Sequence, residues 1–181
     1  RDEEGQGDQL VYGSGGDVRQ TVVISEYAQG GSLADRMVRK YDWQAALKIA
    51  AQMAAGLDFA HKNNIVHGNV RPSNVLFDSQ DNVKLADFGM PSHYENKKNW
   101  YAPPEQERDP DGVDASADLF PVGVMLYRML TGNLPGTDPE PPSRLHPDLD
   151  LSWDRFILKA INPSPRKRFR RARQMLSALA E

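Results

Sequence analysis

The stretch LFPVGVMLYRMLTG, Leu119 to Gly132, constrains the fold more than any other part of the chain. Its apolar residues fall on all sides of the helical period, so a helix built from it has no face suited to water. Such a helix belongs at the centre of a core, with other elements wrapped around it. Pro121 constrains its start, because a residue without an N–H is tolerated only in the first turn. That places the cap near Asp118.

The remaining chain can supply the wrapping. With 181 residues, 39% hydrophobic and 26% charged, it suffices for one well-packed globular domain and not clearly for two. From Trp43, apolar residues recur at Ala46, Leu47, Ala50, Met53, Ala54, Leu57 and Ala60, which predicts one helix about five turns long. Ser32 is placed to cap a short helix through Arg39, after the break AQGGS. Leu10–Gly13 and Thr21–Tyr27 are β-branched runs around the turn-like SGGDVRQ and read as a strand pair. Short β-like pieces follow at Ile65–Val66, Asn74–Phe77 and Val83–Ala86. NLPGTDPEPPSRLHPDLD holds five prolines and is expected to be mostly irregular. Two closing helices are expected over Leu151–Ile161 and Arg171–Ala180.

Composition narrows the function classes. A net charge of −3 gives no global basic field for nucleic acid or an anionic membrane. Without cysteine there are no disulfides and no cysteine-based zinc sites, and His61, His67, His93 and His146 lack metal-ligand spacing. No apolar run reaches membrane-spanning length, and the start RDEEGQGDQ is polar, so a cytoplasmic setting is expected. The first residue is arginine, which suggests a piece of something longer.

Three blocks carry chemistry: HGNVRPSN at residues 67 to 74, DFG at Asp87–Gly89 and YAPPEQ at Tyr101–Gln106. The protein-kinase signature runs H-R-D-L-x-x-x-N, then D-F-G, then A-P-E. His67, Asn69 and Asn74 fall on the H, D and final N positions with the spacing kept. EYAQGGSL resembles the kinase hinge, SADLFPVGVMLYRMLTG the family's large central helix, and NPSPRKRF the turn before its last helix. From about residue 10 to residue 181 the chain thus resembles a eukaryotic-like (Hanks-type) serine/threonine protein kinase of the kind also found in bacteria. Any one motif is weak; five in order are specific.

The resemblance implies an α+β, mainly α fold. Residues 28–181 would form the large C-terminal lobe, after a disordered start and a remnant small-lobe strand pair with the hinge in residues 1–27. It implies that Asn74 and Asp87 occupy Mg²⁺ positions, where hard oxygen ligands neutralise phosphate charge. Glu26 and Ala28 at the hinge, Leu76 on the floor and Ala86 would border a nucleotide. Glu105 would pair with a buried arginine, Arg168 matching better than its rival Arg166. Asp118 would brace the loop backbone, and His67 would be structural. The plainer alternatives are that Asp87 caps a turn, Asn74 ties down loop backbone and Asp118 caps a helix. RKRFRRAR, six basic residues in eight, reads first as a solvated face with one internal ion pair, and second as a phosphate or acidic-partner site.

Several positions depart from the family pattern. Asn69 stands where a carboxylate would take the substrate hydroxyl's proton; an amide can orient a hydroxyl but is no base. Arg71 replaces the loop lysine, keeping charge but not its compact geometry. Lys98 stands where a threonine is usual, and Gly68 where an arginine would receive a loop phosphate. Between Asp87 and Glu105 the hydroxyls are Ser92, Tyr94 and Tyr101. Residues 1–25 contain neither a G-x-G-x-x-G loop nor a V-A-I-K lysine. Two functions follow. One is a pseudokinase large lobe that binds or scaffolds a protein partner in signalling, without a cofactor in this fragment and with Mg-ATP left to the full-length protein. Val22, Ile24, Leu76 and Ala86 would then face an open top, which a second copy could cover. The other is an active serine/threonine kinase whose small lobe lies outside this chain.

Overall fold

Helix α4 (Leu119–Thr131) forms where the apolar run lies, and every residue of it except Arg128 is buried. The computed structural model describes residues 9–14, 18–89, 99–109 and 114–180. Gly132 stops α4 in the left-handed region (φ 78°), where only glycine is unstrained, and donates its N–H to the Arg128 carbonyl at 2.8 Å. Gly123 lets the next layer come close: a Cβ there would lie 2.6 Å from Ala160 Cβ and 2.9 Å from Ile161 Cγ2.

Around α4 pack α2 (Trp43–Lys62) and α6 (Leu151–Ala160), with α7 (Ala172–Leu179) against α2. Asp42 caps α2, its carboxylate accepting the Ala45 N–H at 2.8 Å. The buried face of α2 carries Ala46, Ile49, Ala50, Met53, Ala54, Leu57 and Ala60. Its small side chains admit close neighbours. The expected stripe had Leu47 in place of Ile49; Leu47 is only half-buried, in a groove with Trp43, Trp153 and Phe156.

The strands are short. β1 (Gln9–Ser14) pairs antiparallel with β2 (Val18–Val23), from Gln9 opposite Val23 to Ser14 opposite Val18. β3 (Val75–Phe77) pairs antiparallel with β4 (Val83–Leu85), and Ser32 bridges Leu76. Helix α1 (Leu33–Arg36) opens on a capping box between Ser32 and Asp35. The short helices α3 (Pro104–Arg108) and α5 (Pro142–Leu145) both begin on a proline.

Three expectations need correction. The second strand ends at Val23, not Tyr27; Ile24 is 51% exposed and Tyr27 81%, so alternation there buries nothing. Helix α1 stops at Arg36 rather than Arg39, since Met37 leaves helical geometry to bury its side chain. Ile65–Val66 is no strand, because its backbone closes α2: Ile65 N–H bonds the Ala60 carbonyl and Asn64 N–H that of His61, with Asn64 left-handed (φ 59°). The proline-rich connection is mostly irregular, as expected, and its short α5 is held by Asp154, which accepts both the N–H and the hydroxyl of Ser143. Asp118 is the N-cap residue of α4, where the cap was expected, though its carboxylate accepts no N–H from that helix. Of the start expected to be frayed, residues 1–9, Gln9 instead opens β1 and the rest, together with Ser92, Tyr94 and Lys98, lies outside the described residues.

Candidate functional site

The loop that follows α2 is anchored from below. Asp118, buried at the start of α4, accepts the backbone N–H of His67 and of Gly68, each at 2.8 Å. The same carboxylate lies 2.8 Å from Nε2 of His61 on α2. One side chain therefore fixes loop, α2 and α4 to one another. This is work a helix cap could not do, and it explains why the carboxylate is not spent on α4. Gly68 sits at φ 72°, where a Cβ would be strained whatever space surrounds it. A glycine there holds the bend without that strain.

His67 is wholly buried and stacks on Phe88, ring centroids 4.2 Å apart. Its Nδ1 accepts the Asn69 N–H at 3.3 Å, and its carbonyl accepts the Gly89 N–H at 3.0 Å. Burial pushes the imidazole below its usual range, against the opposing pull of Asp118, the carbonyls of His67 and Ala86, and Asp87. A neutral ring suits a nitrogen that must accept.

Above this base, Asn74 joins the two halves of the site. Its amide Nδ2 donates to the Asn69 carbonyl at 2.9 Å, and its own carbonyl accepts the Ala86 N–H at 2.9 Å. Arg71 Nε donates to Ser73 Oγ at 2.6 Å, and that hydroxyl donates to Asn74 Oδ1 at 3.1 Å. Asp87 is exposed and takes a left-handed backbone (φ 62°), unusual for a residue other than glycine. The Ala86–Asn74 bond ties the residue before Asp87 to the Asn74 backbone.

These groups fit a hard dication. Asn74 Oδ1 keeps a lone pair beyond the one Ser73 uses, and Asp87 adds carboxylate oxygens. Among the described residues no group of three or more acidic, histidine or cysteine side chains could hold a metal. Mg²⁺ would thus take Asn74, Asp87 and oxygens from water or a phosphate, its usual manner. The nucleotide half is sparser. Leu76, Ala86 and Ala28 are half-buried, while Glu26 is exposed and pairs with Lys84 at 3.2 Å.

Glu105 and Arg168 meet away from this cluster. The guanidinium grips the carboxylate with two bonds of 2.6 and 2.5 Å, its side chain fully buried and that of Glu105 27% exposed. Arg168 also donates to the carbonyls of Asn162 and Pro163 and lies over the Phe120 ring. Arg166 is exposed.

The structure adds residues that no pattern in the sequence singled out. Gln106 Nε2 donates to the Gly68 carbonyl at 2.8 Å, tying α3 to the loop. Arg128 donates to the Tyr101 hydroxyl at 2.6 Å. Both contacts span tens of residues, so only the folded chain reveals them.

Comparison with known proteins agrees with this geometry. The protein kinase domain family matches residues 11–178. Serine/threonine-protein kinase PknB of Mycobacterium leprae is 30% identical over 87% of this chain and 29% of its own length. PknB of Mycolicibacterium smegmatis is likewise 30% identical. A probable serine/threonine-protein kinase of Clostridium acetobutylicum is 28% identical over 94% of this chain and 30% of its own length. The chain therefore spans under a third of the length of these relatives. With the loop and the Glu105–Arg168 clasp set on one mainly helical lobe, the chain belongs to the protein kinase domain family, among relatives named serine/threonine-protein kinases.

Proposed function

We propose that this domain is a pseudokinase module, which binds or scaffolds a protein partner in signalling and transfers no phosphate. One observation carries the reading: the loop presents Asn69, an amide, where phosphoryl transfer needs a group to take the attacking hydroxyl's proton. General-base catalysis is worth about 10²–10⁴-fold, so this change alone cripples without abolishing. A further feature supports it: Gly68 leaves no side chain to receive a loop phosphate. When bound, Mg²⁺ would neutralise phosphate charge. Asn74 and Asp87 would hold it, Asn69 would orient a hydroxyl, and Arg71 would lend positive charge beside it.

The rival reading, an active serine/threonine kinase, draws on those same metal-facing residues. The exposed Asp87 carboxylate and the spare lone pair of Asn74 Oδ1 would be available to a dication. A cytoplasmic setting is part of the proposal; no helix among the described residues is long and apolar enough to cross a membrane. The partner face we favour is the top, where Ile24 and Tyr27 are exposed, and a second copy could occupy it.

Transfer of labelled phosphate from Mg·ATP to the chain itself and to peptide substrates tests the reading. We expect none, and none from Asn69→Asp, because phosphoryl transfer depends on positioning the phosphates as much as on the base. Steady Mg²⁺-dependent incorporation by the Asn69→Asp chain would overturn it.

A further inference from the structure

Between α6, the first turns of α2 and the end of α7 lies a groove of about 590 Å³. None of its lining residues belongs to the loop at residues 67–74 or to the segment around Asp87. Its volume falls within the roughly 300–1,000 Å³ of sites that hold small molecules. Four aromatic rings line it. Trp43 meets Trp153 edge to face at 6.1 Å, and Phe156 lies tilted against Phe169 at 5.1 Å. Trp43, Trp153 and Phe156 are only half-buried, so apolar ring surface is left in water.

Two cations share the groove with these rings. Arg155 and Lys159 stand four residues apart on α6, a spacing at which like charges repel. Among the described residues neither forms an ion pair. Lys159 Nζ rests on the Phe169 ring, 4.2 Å from its centre. The acids of α6 and its cap are engaged elsewhere: Asp154 accepts from Ser143, and Asp150, which feels the Arg155 charge, accepts from Ser152. An anion between the two cations would relieve their repulsion. A flat aryl body offers face and edge to the surrounding rings with few rotations to lose, whereas an alkyl chain would give up many.

We propose that this groove binds an aromatic carboxylate, its aryl body against Trp43, Trp153 and Phe156 and its charge between Arg155 and Lys159. The site stands apart from the catalytic loop and does not depend on the pseudokinase reading. Charge complementarity is local here: the chain as a whole carries −3, so its overall field repels an anion. Preference for one would therefore report this site and not the bulk charge. The competing account is that both cations merely extend their heads into water, as long cationic side chains do.

Isothermal titration calorimetry with naphthoate, its neutral counterpart naphthalenemethanol and the flexible anion octanoate separates these. We expect naphthoate to bind about tenfold or more tightly than either. The double variant Arg155→Gln, Lys159→Gln should bring naphthoate down to the affinity of the alcohol. Arg166→Gln, on an exposed arginine outside the groove, should change nothing. Parity of naphthoate with the alcohol or with octanoate, or an equal loss in Arg166→Gln, overturns the proposal. The wild-type chain gives the location without any variant: naphthoate should shift the indole N–H NMR signals of Trp43 and Trp153 and leave that of Trp100, the third tryptophan, in place. Unmoved Trp43 and Trp153 signals overturn the proposal. Phosphate transfer by this chain would sink the pseudokinase reading alone, since these titrations are read without nucleotide.

Discussion

Arg168 carries a full charge on a side chain with no exposed surface, and Glu105 supplies both oxygens against it. The two partners are not equally dependent. Glu105→Gln strands a buried guanidinium, for which about 3–5 kcal/mol of stability should be lost. Arg168→Met should cost less, because Glu105 is partly open to water. Arg166→Ala, on an exposed side chain, should stay within about 0.5 kcal/mol. Urea denaturation measures all three, and equal losses for the two arginines would remove Arg168 from its assigned place. His67 gives a second prediction at this scale. Its folded pKa is lowered by burial, so the unfolded chain binds more protons in the window below about pH 6.5. The stability its neutral ring contributes is whole above that pH and lost as pH falls through the window toward the folded value. In His67→Gln this slope should flatten. The hydrogen-bonded carboxylates of Asp35, Asp78 and Asp150, whose pKa values are also lowered, act only below the ordinary carboxylate value of 3.8 and so leave that window clear.

Between elements, the approach of α4 to α6 sets the tightest demand. Gly123→Ala gains about 1 kcal/mol of helix propensity but drives a methyl to within 2.6 Å of Ala160 Cβ. Overpacking of this kind costs about 1–3 kcal/mol, and backbone of residue 160 stands behind the side chain, so the net effect should be destabilising. A thermal melt of Gly123→Ala at or above wild type would show that the helices can part without loss. The same scale explains one misread segment and one short helix. Ile65–Val66 has strand composition, yet the end of α2 claims its backbone first. The Pro142–Leu145 helix needs Asp154, eleven residues on from Ser143, to hold its first turn.

For the molecule as a whole, the question is whether nucleotide adds stability. A ligand at about 100 times its Kd contributes roughly 2.7 kcal/mol, a shift of several degrees in a domain of this size. We expect no such shift with millimolar Mg·ATP, since residues 1–25 supply no loop or lysine for the phosphates. A large shift abolished by Asp87→Ala would instead show a working metal site and favour the active-kinase reading.

The sequence by itself determined the family and the main helices. Motif order, the all-round apolar run of α4 and the alanine-rich stripe of α2 are local patterns, and local patterns survive reading in one dimension. It also marked Asn69, Asn74, Asp87 and Glu105 as positions worth examining, because those residue types bear chemistry. Only the tertiary structure showed what surrounds such positions. Asp118 could have capped a helix, and it instead ties three segments together because His61, His67 and Gly68 converge on it. The choice between Arg166 and Arg168 turned on which one the 3-10 turn at Pro165–Lys167 leaves pointing inward, a matter of backbone path. Arg128 reaches the Tyr101 hydroxyl because of how α4 is surrounded, and burial on the other faces of α4 is a property of neighbours that lie far away in the chain.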